Sequence, residues 1–378
     1  MRVLHLGKYY APQRGGIERH VQDLAEWQVA HGLDVDVLVH QPATRWRSTQ
    51  ETLAGVRVRR VGCVAAPLYT PLCPAMPLQL AKFLADGQTD VLHLHMPNPS
   101  CFFALTSARA RRVPWIVHWH ADVPSDSPDW RMRAAYRAYR PFEHALLARA
   151  HTIIATSARY LDASAALAPW RAKVRVIALG IDAQADLHGS APAWPVTTGM
   201  RVLAVGRLSH YKGFATLLAA LAQVPTASLL LIGNGEECAG LRRLADAHGV
   251  SDRVAFVGEV DDASLQAAYA AADVFVLPSL ERSEAFGLVL LEAMRAGRAV
   301  IASDIAGSGV GHVVAGQETG LLVPPGEIDA LAQALHRLHD EPDLRSRLGN
   351  AGRERWQAAF TLQRSARSVL DLYLRALD

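Results

Sequence analysis

The chain has 378 residues, which exceeds the usual size of a single hydrophobic core and predicts two domains. Hydrophobic residues make up 50% and charged residues 20%, a composition typical of a globular protein with a large core. The net charge is only +3 and the four cysteines lack C-x-x-C spacing, so we expect no nucleic-acid partner, no disulfide framework and no cysteine zinc site.

Short apolar runs alternate with amphipathic stretches along the whole chain, a pattern typical of parallel α/β sheets. The strands predicted in the first half are 3–6, 34–39, 56–61, 90–95, 115–120, 151–156 and 174–179. Those predicted in the second half are 201–206, 228–233, 253–258, 273–278, 299–303 and 320–324. The fold class predicted is therefore α/β, with two doubly wound Rossmann-like domains facing a cleft, the default ligand site.

The segment 183–199 contains Pro, Gly and Thr with little periodicity, and we predict it to be a linker between domains at 1–182 and 200–357. Residues 354–377 read as one helix, which packs on its own domain or returns to the first; the sequence alone leaves both open. The N-terminus lacks the apolar run of a signal peptide, and no stretch approaches ~20 apolar residues. We expect a cytoplasmic protein, or one peripheral on the cytoplasmic face of the inner membrane.

Two glycines, Gly15 and Gly16, stand between the first predicted strand and a helical pattern that has Ile17, Val21, Leu24 and Gln28 in one row. Glycines at this position let backbone N–H groups approach an anion at a helix N-terminus. The spacing is not G-x-G-x-x-G, so the dinucleotide-binding fingerprint is absent and an ordinary glycine turn remains open.

The second domain begins with RVLAVGRLSHYKGF, in which Arg207 and Lys212 follow a strand and precede a helix. Two cations at the carboxyl end of a strand, beside a helix N-terminus, can bind a diphosphate. For any single pair of such cations, two solvated loop charges are the favoured explanation.

The apolar run SEAFGLVLLEAM carries two carboxylates, Glu284 and Glu292. A buried carboxylate is costly unless a partner pairs with it or donates hydrogen bonds to it. Glu284 falls in the loop before a predicted helix, with the N–H groups of Phe286, Gly287 and Leu288 behind it, and Glu292 falls in the second turn. Polyol hydroxyls suit such carboxylates and the N–H groups suit phosphate oxygens, so together they indicate a sugar nucleotide.

The segments GRLSHYKGF, SEAFGLVLLEAMRAG and TGLLVPPG resemble the retaining glycosyltransferases of family 4, which have the two-Rossmann-domain GT-B fold. HLHMPNP and HWHAD resemble acceptor-domain segments of bacterial mannosyl- and rhamnosyltransferases of that family. The resemblance extends over essentially the whole chain. The most specific feature is the glutamate pair in its strand–loop–helix setting.

The resemblance implies that Glu284 contacts the transferred hexose and that Glu292 binds the ribose of the nucleotide. It implies that Arg207 and Lys212 clamp the diphosphate and that a residue near Val260 meets the base.

The same resemblance places Gly15 and Gly16 against the diphosphate from the first domain and makes His120 the active-site histidine beside the sugar. It also returns the last segment, 358–378, to the first domain.

Four histidines, His93, His95, His118 and His120, lie at the ends of two predicted strands, and alternation puts each pair on one face. A four-histidine metal site is conceivable, but no carboxylate or cysteine spacing supports it. We expect His93 and His118 to be core histidines that neighbouring loops satisfy, and we expect no metal and no cofactor. The D-V-D at 34–36 is explained by alternation within a strand.

Residues 129–142 concentrate arginine, and helical spacing puts Arg133, Arg137 and Arg140 on one face. A basic aromatic helix suits an anionic membrane surface or a lipid-diphosphate acceptor. A solvated helix that packs its aromatic side chains on the core explains the pattern equally well. On the acceptor side we also expect His95 and Asn98 of HLHMPNP.

The sequence therefore predicts a metal-independent, retaining hexosyltransferase of bacterial polysaccharide assembly. Its donor would be GDP-mannose or a related GDP-deoxyhexose, and its acceptor a glycan or polyprenyl-diphosphate-linked glycan. The alternatives are a UDP-hexose or UDP-N-acetylhexosamine transferase, a nucleotide-sugar epimerase of the same fold, and a non-enzymatic sugar-nucleotide sensor.

Overall fold

The computed structural model describes residues 1–42, 45–67, 70–124, 129–183, 189–195 and 199–378. The chain divides into two compact units: Met1–Leu179 with Leu362–Asp378, and Gly180–Thr361. The end of the first unit thus lies three residues before the predicted boundary at 182, and the final segment begins at Leu362 rather than at 358. The predicted linker falls within the second unit, although 184–188 and 196–198 lie outside the described residues.

The first unit contains an eight-stranded sheet in the order β3-β4-β2-β1-β5-β6-β7-β8. All neighbouring strands pair in parallel except β3 and β4. The strands are β1 Arg2–Leu6, β2 Asp34–His40, β3 Thr49–Leu53, β4 Val56–Val61, β5 Val91–Met96, β6 Trp115–Trp119, β7 Thr152–Ala155 and β8 Val174–Val176. Its helices, numbered through the whole chain, are α1 Gly16–Ala30, α2 Met76–Phe83, α3 Phe103–Thr106, α4 Trp130–Arg149, α5 Ala158–Ala163 and α13 Leu362–Leu377.

The C-terminal helix α13 is an integral part of the first unit, as the family resemblance implied. Its buried positions recur at helical spacing, at Leu362, Ala366, Val369 and Tyr373, and form one apolar stripe. This stripe packs in one core cluster with side chains of β1, β5, β6 and β7. The helix therefore covers the centre of the sheet.

The second unit contains a six-stranded, all-parallel sheet in the order β11-β10-β9-β12-β13-β14. Its strands are β9 Met200–Val205, β10 Ala227–Ile232, β11 Val254–Gly258, β12 Val274–Leu277, β13 Ala299–Ser303 and β14 Leu321–Val323. Its helices are α6 Phe214–Ala222, α7 Cys238–Ala247, α8 Asp262–Ala271, α9 Leu288–Arg295, α10 Val310–Val313, α11 Ile328–Asp340 and α12 Pro342–Ala359. The strands are almost entirely apolar because helices cover both faces.

The strand orders locate a topological switch point in each sheet. In the first sheet the chain runs outward from β1 to β2 and, on the other side, from β5 to β6; in the second, β9 and β12 are the central neighbours from which the two series diverge. Ligands of open α/β sheets bind outside the carboxyl ends of the strands at such a point. Each unit therefore offers one favoured position for a site.

Two predictions of secondary structure were wrong. The single helix predicted at 354–377 is divided between α12 and α13, because the backbone at Phe360 and Thr361 leaves the helix to pair with Ile181. The edge strand β3 was missed because its sequence, TQETL, is polar and almost fully exposed. Within the described ranges, no helix combines the length and the apolar character needed to span a bilayer.

Candidate functional site

A buried ion pair lies at the switch point of the second unit. Lys212 follows β9, Glu284 follows β12, and the Lys212 ammonium donates to Glu284 Oε2 over 2.6 Å. The hydroxyl of Ser279 donates to the same oxygen over 2.9 Å. Glu284 and Lys212 each retain only 8% of their accessible surface. The partner that the apolar run requires for Glu284 is thus a lysine from the neighbouring loop.

The two loops that carry this pair approach each other closely at Gly213. Its φ of +69° is a left-handed conformation, and a Cβ there would lie 2.0 Å from the carbonyl oxygen of Pro278. The N–H of Leu280 donates to the Tyr211 carbonyl over 2.7 Å, which ties the same two loops together. Gly213 is therefore the residue that lets Lys212 reach Glu284.

The segment after β13 fixes the backbone of the glutamate loop. The hydroxyl of Ser308 donates to the Glu284 carbonyl, and the N–H of Gly309 donates to the Ala285 carbonyl over 2.8 Å. Ser308 and Ser279 are completely buried. The Glu284 side chain consequently projects from a loop that is held on both sides.

The charge state of the pair follows from its surroundings. Burial alone would lower the pKa of the Lys212 ammonium, but the Glu284 carboxylate and the Tyr211 hydroxyl outweigh burial and raise it. Lys212 therefore stays charged at neutral pH. A single ammonium has three N–H donors, so it can also contact an anionic ligand.

The second carboxylate, Glu292, is held by a tyrosine that the sequence did not single out. Glu292 is the fifth residue of α9, and its Oε2 accepts a 2.7 Å hydrogen bond from the hydroxyl of Tyr269 in α8. Tyr269 is fully buried, and its pKa is raised well above the ordinary value by burial and by Glu292. Tyr269 therefore remains a donor and orients this carboxylate.

The N-terminus of α9 lies between the two glutamates in the chain. Gly287, with a φ of +84°, precedes the first helical residue, Leu288, and a Cβ on it would lie 2.9 Å from the Leu290 side chain. Phe286 is 4% exposed and packs against Phe360. The first N–H groups of a helix lack intrahelical acceptors, so at this end they can donate hydrogen bonds to phosphate oxygens.

The remaining donor-side candidates lie at the same edge of the second sheet. Arg207 directly follows β9; its side chain is 53% exposed and lies 3.6 Å from Glu236. Val260 is half-buried in the loop between β11 and α8. Both are placed at carboxyl ends of strands, where the predicted roles require them.

Gly15 and Gly16 begin α1 after β1, at the switch point of the first unit. Both are exposed, and Gly15 has extended backbone, so a left-handed conformation is not what requires glycine. A Cβ on Gly15 would lie 2.1 Å from a carboxylate oxygen of Glu18. A side chain at Gly15 would therefore displace Glu18 from the N-terminus of α1.

Six histidine rings form a buried cluster at the switch point of the first unit. We call it the histidine cluster; none of its members is more than 4% exposed. Its members are His5, His20, His93, His95, His118 and His120. His5 and His20, on β1 and α1, were not predicted as part of it. The sequence signal for His5 was alternation in VLHL, which points it to the same face as the two predicted pairs.

The expectation that neighbouring loops satisfy His93 and His118 was wrong. His93 Nδ1 instead contacts the hydroxyl of Tyr373 on α13. Both ring nitrogens of His118 are buried without a hydrogen-bond partner among the described residues, as are both of His20. Burial lowers the pKa of His93 and His118 well below the ordinary value, so both rings are neutral at neutral pH.

The rings of His95, His118 and His120 are not oriented to share one metal ion. Nitrogen atoms of His95, His118 and His120 lie within 4.8 Å of one another, the separation of possible ligands. However, His118 and His120 stack face to face, with centroids 4.3 Å apart and planes at 8°, and His95 is within 21° of both. An imidazole donates in its ring plane, and one ion cannot lie in several parallel planes, so metal binding would require the rings to turn.

The D-V-D sequence is neutralised by arginines. Asp36 is 1% exposed and accepts from the guanidinium groups of Arg2 and Arg57, each with a contact of 2.8 Å. Asp34 also pairs with Arg57. These contacts occupy both carboxylates, in agreement with an explanation by strand alternation.

Asn98 and the arginines of α4 were both predicted to serve the acceptor. Asn98 is 1% exposed, and its Oδ1 accepts from the N–H of Ser100 while its amide nitrogen has no hydrogen-bond partner among the described residues. The predicted arginine face, Arg133, Arg137 and Arg140, is exposed on α4, and Arg131 on the same helix is exposed as well.

An apolar groove of about 360 Å³ lies in the first unit, lined among others by Leu72, Pro99 and Phe103. Leu72 is 46% exposed. The turn that contains Pro99 continues into Phe102, whose ring packs against Tyr139 and Phe142 of α4. The turn that lines the groove thus also packs against α4, the helix that carries the exposed arginines.

Comparison with protein families gives matches over both units. The model described as "Glycosyl transferase 4-like domain" matches residues 15–180, and the model described as "Glycosyl transferases group 1" matches residues 195–355.

Three curated relatives are similar over nearly their whole length. An O-antigen chain mannosyltransferase C of Escherichia coli is 29% identical and covers 100% of this chain and 99% of its own. A D-rhamnosyltransferase of Pseudomonas aeruginosa is 32% identical, with 96% and 92% covered. A phosphatidyl-myo-inositol mannosyltransferase of Mycobacterium leprae is 33% identical, with 94% and 91% covered.

Solved structures show the same architecture. A sucrose-phosphate synthase of Thermosynechococcus elongatus superposes with a TM-score of 0.79 at 29% identity, covering 99% of this chain and 98% of that one. The Anabaena protein HepE, solved with UDP-glucose, gives a TM-score of 0.75 at 21% identity, with 98% and 99% covered.

Proposed function

The chain belongs to glycosyltransferase family 4, which has the GT-B fold, and from this premise we propose that it transfers a hexose from a nucleotide-diphosphate sugar with retention of configuration. The proposed donor is GDP-mannose or a related GDP-deoxyhexose. The proposed acceptor is a glycan or a polyprenyl-diphosphate-linked glycan of bacterial polysaccharide assembly. The observation that carries the proposal is the buried Lys212–Glu284 pair at the switch point of the second unit.

Glu284 is proposed to bind the hexose. Both described contacts of its carboxylate, from Lys212 and Ser279, fall on Oε2. The other oxygen would accept hydrogen bonds from sugar hydroxyls, which donate and carry no competing charge. Because Lys212 and Ser279 hold the carboxylate, it would not need to reorganise when the sugar binds.

Glu292 is proposed to bind the ribose, with Tyr269 as its support. A carboxylate that is already oriented by one buried hydroxyl can accept from both hydroxyls of a ribose without a large loss of side-chain freedom. Val260 would contact the base from the edge of the sheet.

The departing diphosphate is proposed to be stabilised by protein groups instead of a metal. Lys212, Arg207 and the N–H groups of Phe286, Gly287 and Leu288 supply positive potential at the strand ends, and Gly15 and Gly16 would approach from the first unit. The D-V-D carboxylates, whose sequence resembles a metal-binding D-x-D, are paired with arginines. No cofactor enters this proposal.

Retention is proposed to follow front-face attack, with the departing phosphate accepting the proton of the acceptor hydroxyl. His120 is proposed as the active-site histidine that hydrogen-bonds a hydroxyl of the reacting sugars. The mannosyl- and rhamnosyltransferases among the relatives support mannose or a deoxyhexose as the transferred group.

The acceptor is proposed to bind the first unit. The groove beside Leu72 and Phe103 suits an apolar chain, and the exposed arginines of α4 suit a diphosphate or anionic lipid. His95 and Asn98 were predicted on this side; both are buried, so in this proposal they support the site from beneath rather than contact a bulky acceptor.

A donor screen tests the proposal. The purified protein is incubated with GDP-mannose, a GDP-deoxyhexose, UDP-glucose or UDP-N-acetylhexosamine, with EDTA present, with and without a lipid-linked glycan acceptor. We expect release of GDP that depends on the acceptor, and a product whose anomeric proton signals show the configuration of the donor. If only a UDP-sugar is turned over, the proposed GDP-sugar donor is wrong. If an epimerised sugar nucleotide forms without acceptor, the reaction is epimerisation and not transfer.

A further inference from the structure

A continuous hydrogen-bonded chain runs through the histidine cluster and ends at His120. Gln28 Oε1 contacts His5 Nε2 at 2.8 Å, His5 Nδ1 contacts His95 Nε2 at 3.0 Å, and His95 Nδ1 contacts His120 Nε2 at 3.0 Å. Every member is buried, with at most 4% of its surface exposed. No water is needed to connect these groups, since each contact is direct.

The amide of Gln28 has a second, fixed contact. Its nitrogen donates to the hydroxyl of Tyr373 over 3.1 Å, and that hydroxyl contacts Nδ1 of His93. A side-chain amide donates from its nitrogen and accepts at its oxygen, so its two possible orientations present opposite groups to His5. Tyr373 and His93 therefore help to decide which end of the amide faces His5.

The direction of the amide propagates along the chain, because a neutral imidazole has one donor and one acceptor nitrogen. With the carbonyl oxygen toward His5, as in the structure, His5 must carry its proton on Nε2 and accept at Nδ1. His95 must then donate from Nε2 and accept at Nδ1, and His120 must donate from Nε2. Nδ1 of His120 is left with a lone pair.

Turning the amide by half a rotation reverses every bond. Gln28 would then donate to His5, and all three imidazoles would carry their protons on Nδ1. Any arrangement in which the three tautomers differ places two donors or two lone pairs face to face across 3.0 Å in a buried site, where a lost hydrogen bond is not replaced by water. The three histidines therefore change tautomer together.

The rings must be neutral for this coupling to hold, and burial ensures it. Desolvation lowers the pKa of His5 to about 4 and lowers those of His95 and His120 well below the ordinary value. His120 Nδ1, the free end of the chain, is buried without a hydrogen-bond partner among the described residues. An unsatisfied acceptor at this position is suited to one hydroxyl of a ligand.

We infer that Gln28 is a positioning residue which, through His5 and His95, sets the tautomer of His120 and so presents the Nδ1 lone pair to a substrate hydroxyl. The chain cannot conduct a net proton, because the amide at its far end has no basic site. Its effect is to decide whether His120 accepts or donates. The effect on transfer rests on the proposed function, whereas the coupling of the tautomers does not.

Nuclear magnetic resonance of the full chain, labelled with ¹⁵N in its histidine rings, tests the coupling directly. Signals are assigned with single His→Asn variants at His5, His95 and His120. At pH 7.5 we expect all three rings to be neutral and to carry the proton on Nε2. Different tautomers among the three rings in the wild-type protein would overturn the inference without any further variant.

Gln28→Met removes the amide while keeping a side chain of similar size. We expect the ring signals of His120 to shift or to divide between two tautomers, although two imidazoles separate it from Gln28. Tyr373→Phe removes the hydroxyl that orients the amide and contacts His93 Nδ1, so it should give the same mixture and serves if Gln28→Met does not fold. Gln22→Met is the matched control, because Gln22 lies on the same helix and bonds to Glu26.

Enzyme kinetics separate this inference from the proposed function. With the donor found in the screen, Gln28→Met should lower kcat by about tenfold, the effect of losing one hydrogen bond to a substrate hydroxyl, and leave the donor KM nearly unchanged. Tautomers that stay uniform in both variants would overturn the inference even if transfer is confirmed. Tautomer mixing without any transfer activity would retain the coupling and reject the function. Zn²⁺ that binds stoichiometrically and shifts the signals of His95, His118 and His120 together would replace the chain with a metal site.

Discussion

The charged atoms of Lys212 and Glu284 lie 2.6 Å apart although the residues are 72 positions apart in sequence. The pair connects the loops after the two central strands of the second sheet, and each partner explains the other's burial. Because a buried charge without its partner is destabilising, the pair has separable consequences for stability and for turnover.

The first prediction concerns turnover. Glu284→Gln keeps a hydrogen-bond acceptor for Lys212 but removes the charge proposed to hold the hexose hydroxyls, so we expect a large fall in kcat while nucleotide binding persists. Steady-state kinetics and calorimetric titration with the nucleotide measure the two effects. Glu341→Gln, at an exposed glutamate paired with Arg337, should leave both values unchanged. Near wild-type turnover in Glu284→Gln would remove Glu284 from the proposed site.

The second prediction separates stability from catalysis. Lys212→Met leaves the Glu284 carboxylate buried without a counter-charge, and we expect it to lower the free energy of unfolding by about 3–5 kcal/mol. The double variant Lys212→Met with Glu284→Met should recover much of that loss and remain inactive. Urea denaturation of the two single variants and the double variant measures the coupling. Additive effects would mean that the two side chains do not stabilise each other.

The third prediction concerns Gly213, whose Cβ position is occupied by the Pro278 carbonyl oxygen. Gly213→Ala must move the loops apart in addition to adopting an unfavourable φ, so we expect a loss of stability greater than ~1 kcal/mol and a fall in turnover. Gly249→Ala is the matched control: its φ is +64°, yet a Cβ there meets nothing within 4 Å. Equal effects of the two substitutions would show that the close approach has no energetic weight.

The fourth prediction concerns the nucleotide. Glu292→Ala should weaken nucleotide binding by roughly 1–3 kcal/mol, because a charge-assisted hydrogen bond to ribose is lost. Tyr269→Phe should weaken it less, since the carboxylate remains but loses its 2.7 Å donor. Titration calorimetry gives both values, with Glu318→Ala at an exposed position as the control. A larger effect from Tyr269→Phe than from Glu292→Ala would contradict the order of these roles.

The sequence predicted those features that are determined by neighbouring residues in the chain, and it missed those that depend on the order of the strands. The strands of both sheets were predicted because buried parallel strands are apolar throughout, and β3 was missed because an exposed edge strand is not. Glu284 was predicted to need a partner from its apolar surroundings alone, but the choice of Lys212 depends on the order of β9 and β12, which no local pattern contains.

The histidine cluster shows the same limit. Alternation correctly put His93 with His95 and His118 with His120 on a shared face. The contact of His93 with Tyr373 spans 280 positions and required α13 to return to the first unit, which the sequence left open. Gln28 lay in the apolar row of α1, and only the neighbouring strand reveals that its amide contacts His5.

The fifth prediction follows from the neutral, buried histidines. The pKa of His20 is lowered to about 3 and that of His5 to about 4, against an ordinary value near 6.5 in the unfolded chain. Between pH 6.5 and 4 the unfolded state binds protons that the folded state does not, so stability is full above pH 6.5 and falls as the pH drops. Each such histidine contributes up to about 1.4 kcal/mol per pH unit in that window.

Urea denaturation at pH 7.5, 6.5 and 5.5 measures this slope. His20→Met removes one titrating ring whose nitrogens have no partner among the described residues, and we expect a flatter dependence on pH with little loss of stability at pH 7.5. His151→Met, at an exposed histidine of the same unit, should leave the slope unchanged. An identical slope in the wild type and His20→Met would show that this ring already titrates in the folded protein.

The last prediction concerns four exposed arginines of α4, the predicted arginine face together with Arg131. If the acceptor is lipid-linked, Arg131, Arg133, Arg137 and Arg140 hold the protein against anionic lipid, each contributing about 1 kcal/mol near the surface. Wild-type protein should float with anionic liposomes at low salt and be released at 1 M salt, where screening shortens to ~3 Å. The variant with alanine at all four positions should not float.

A control with the same change in charge makes the result specific to α4. Alanine at four other exposed arginines, Arg243, Arg347, Arg353 and Arg367, alters the net charge equally and should leave flotation intact. Loss of flotation in both quadruple variants would show that membrane binding depends on net charge and not on the arginines of α4. Flotation that survives the α4 substitutions, or its absence in the wild type, would favour a soluble acceptor, because the arginine face would then be ordinary solvated surface.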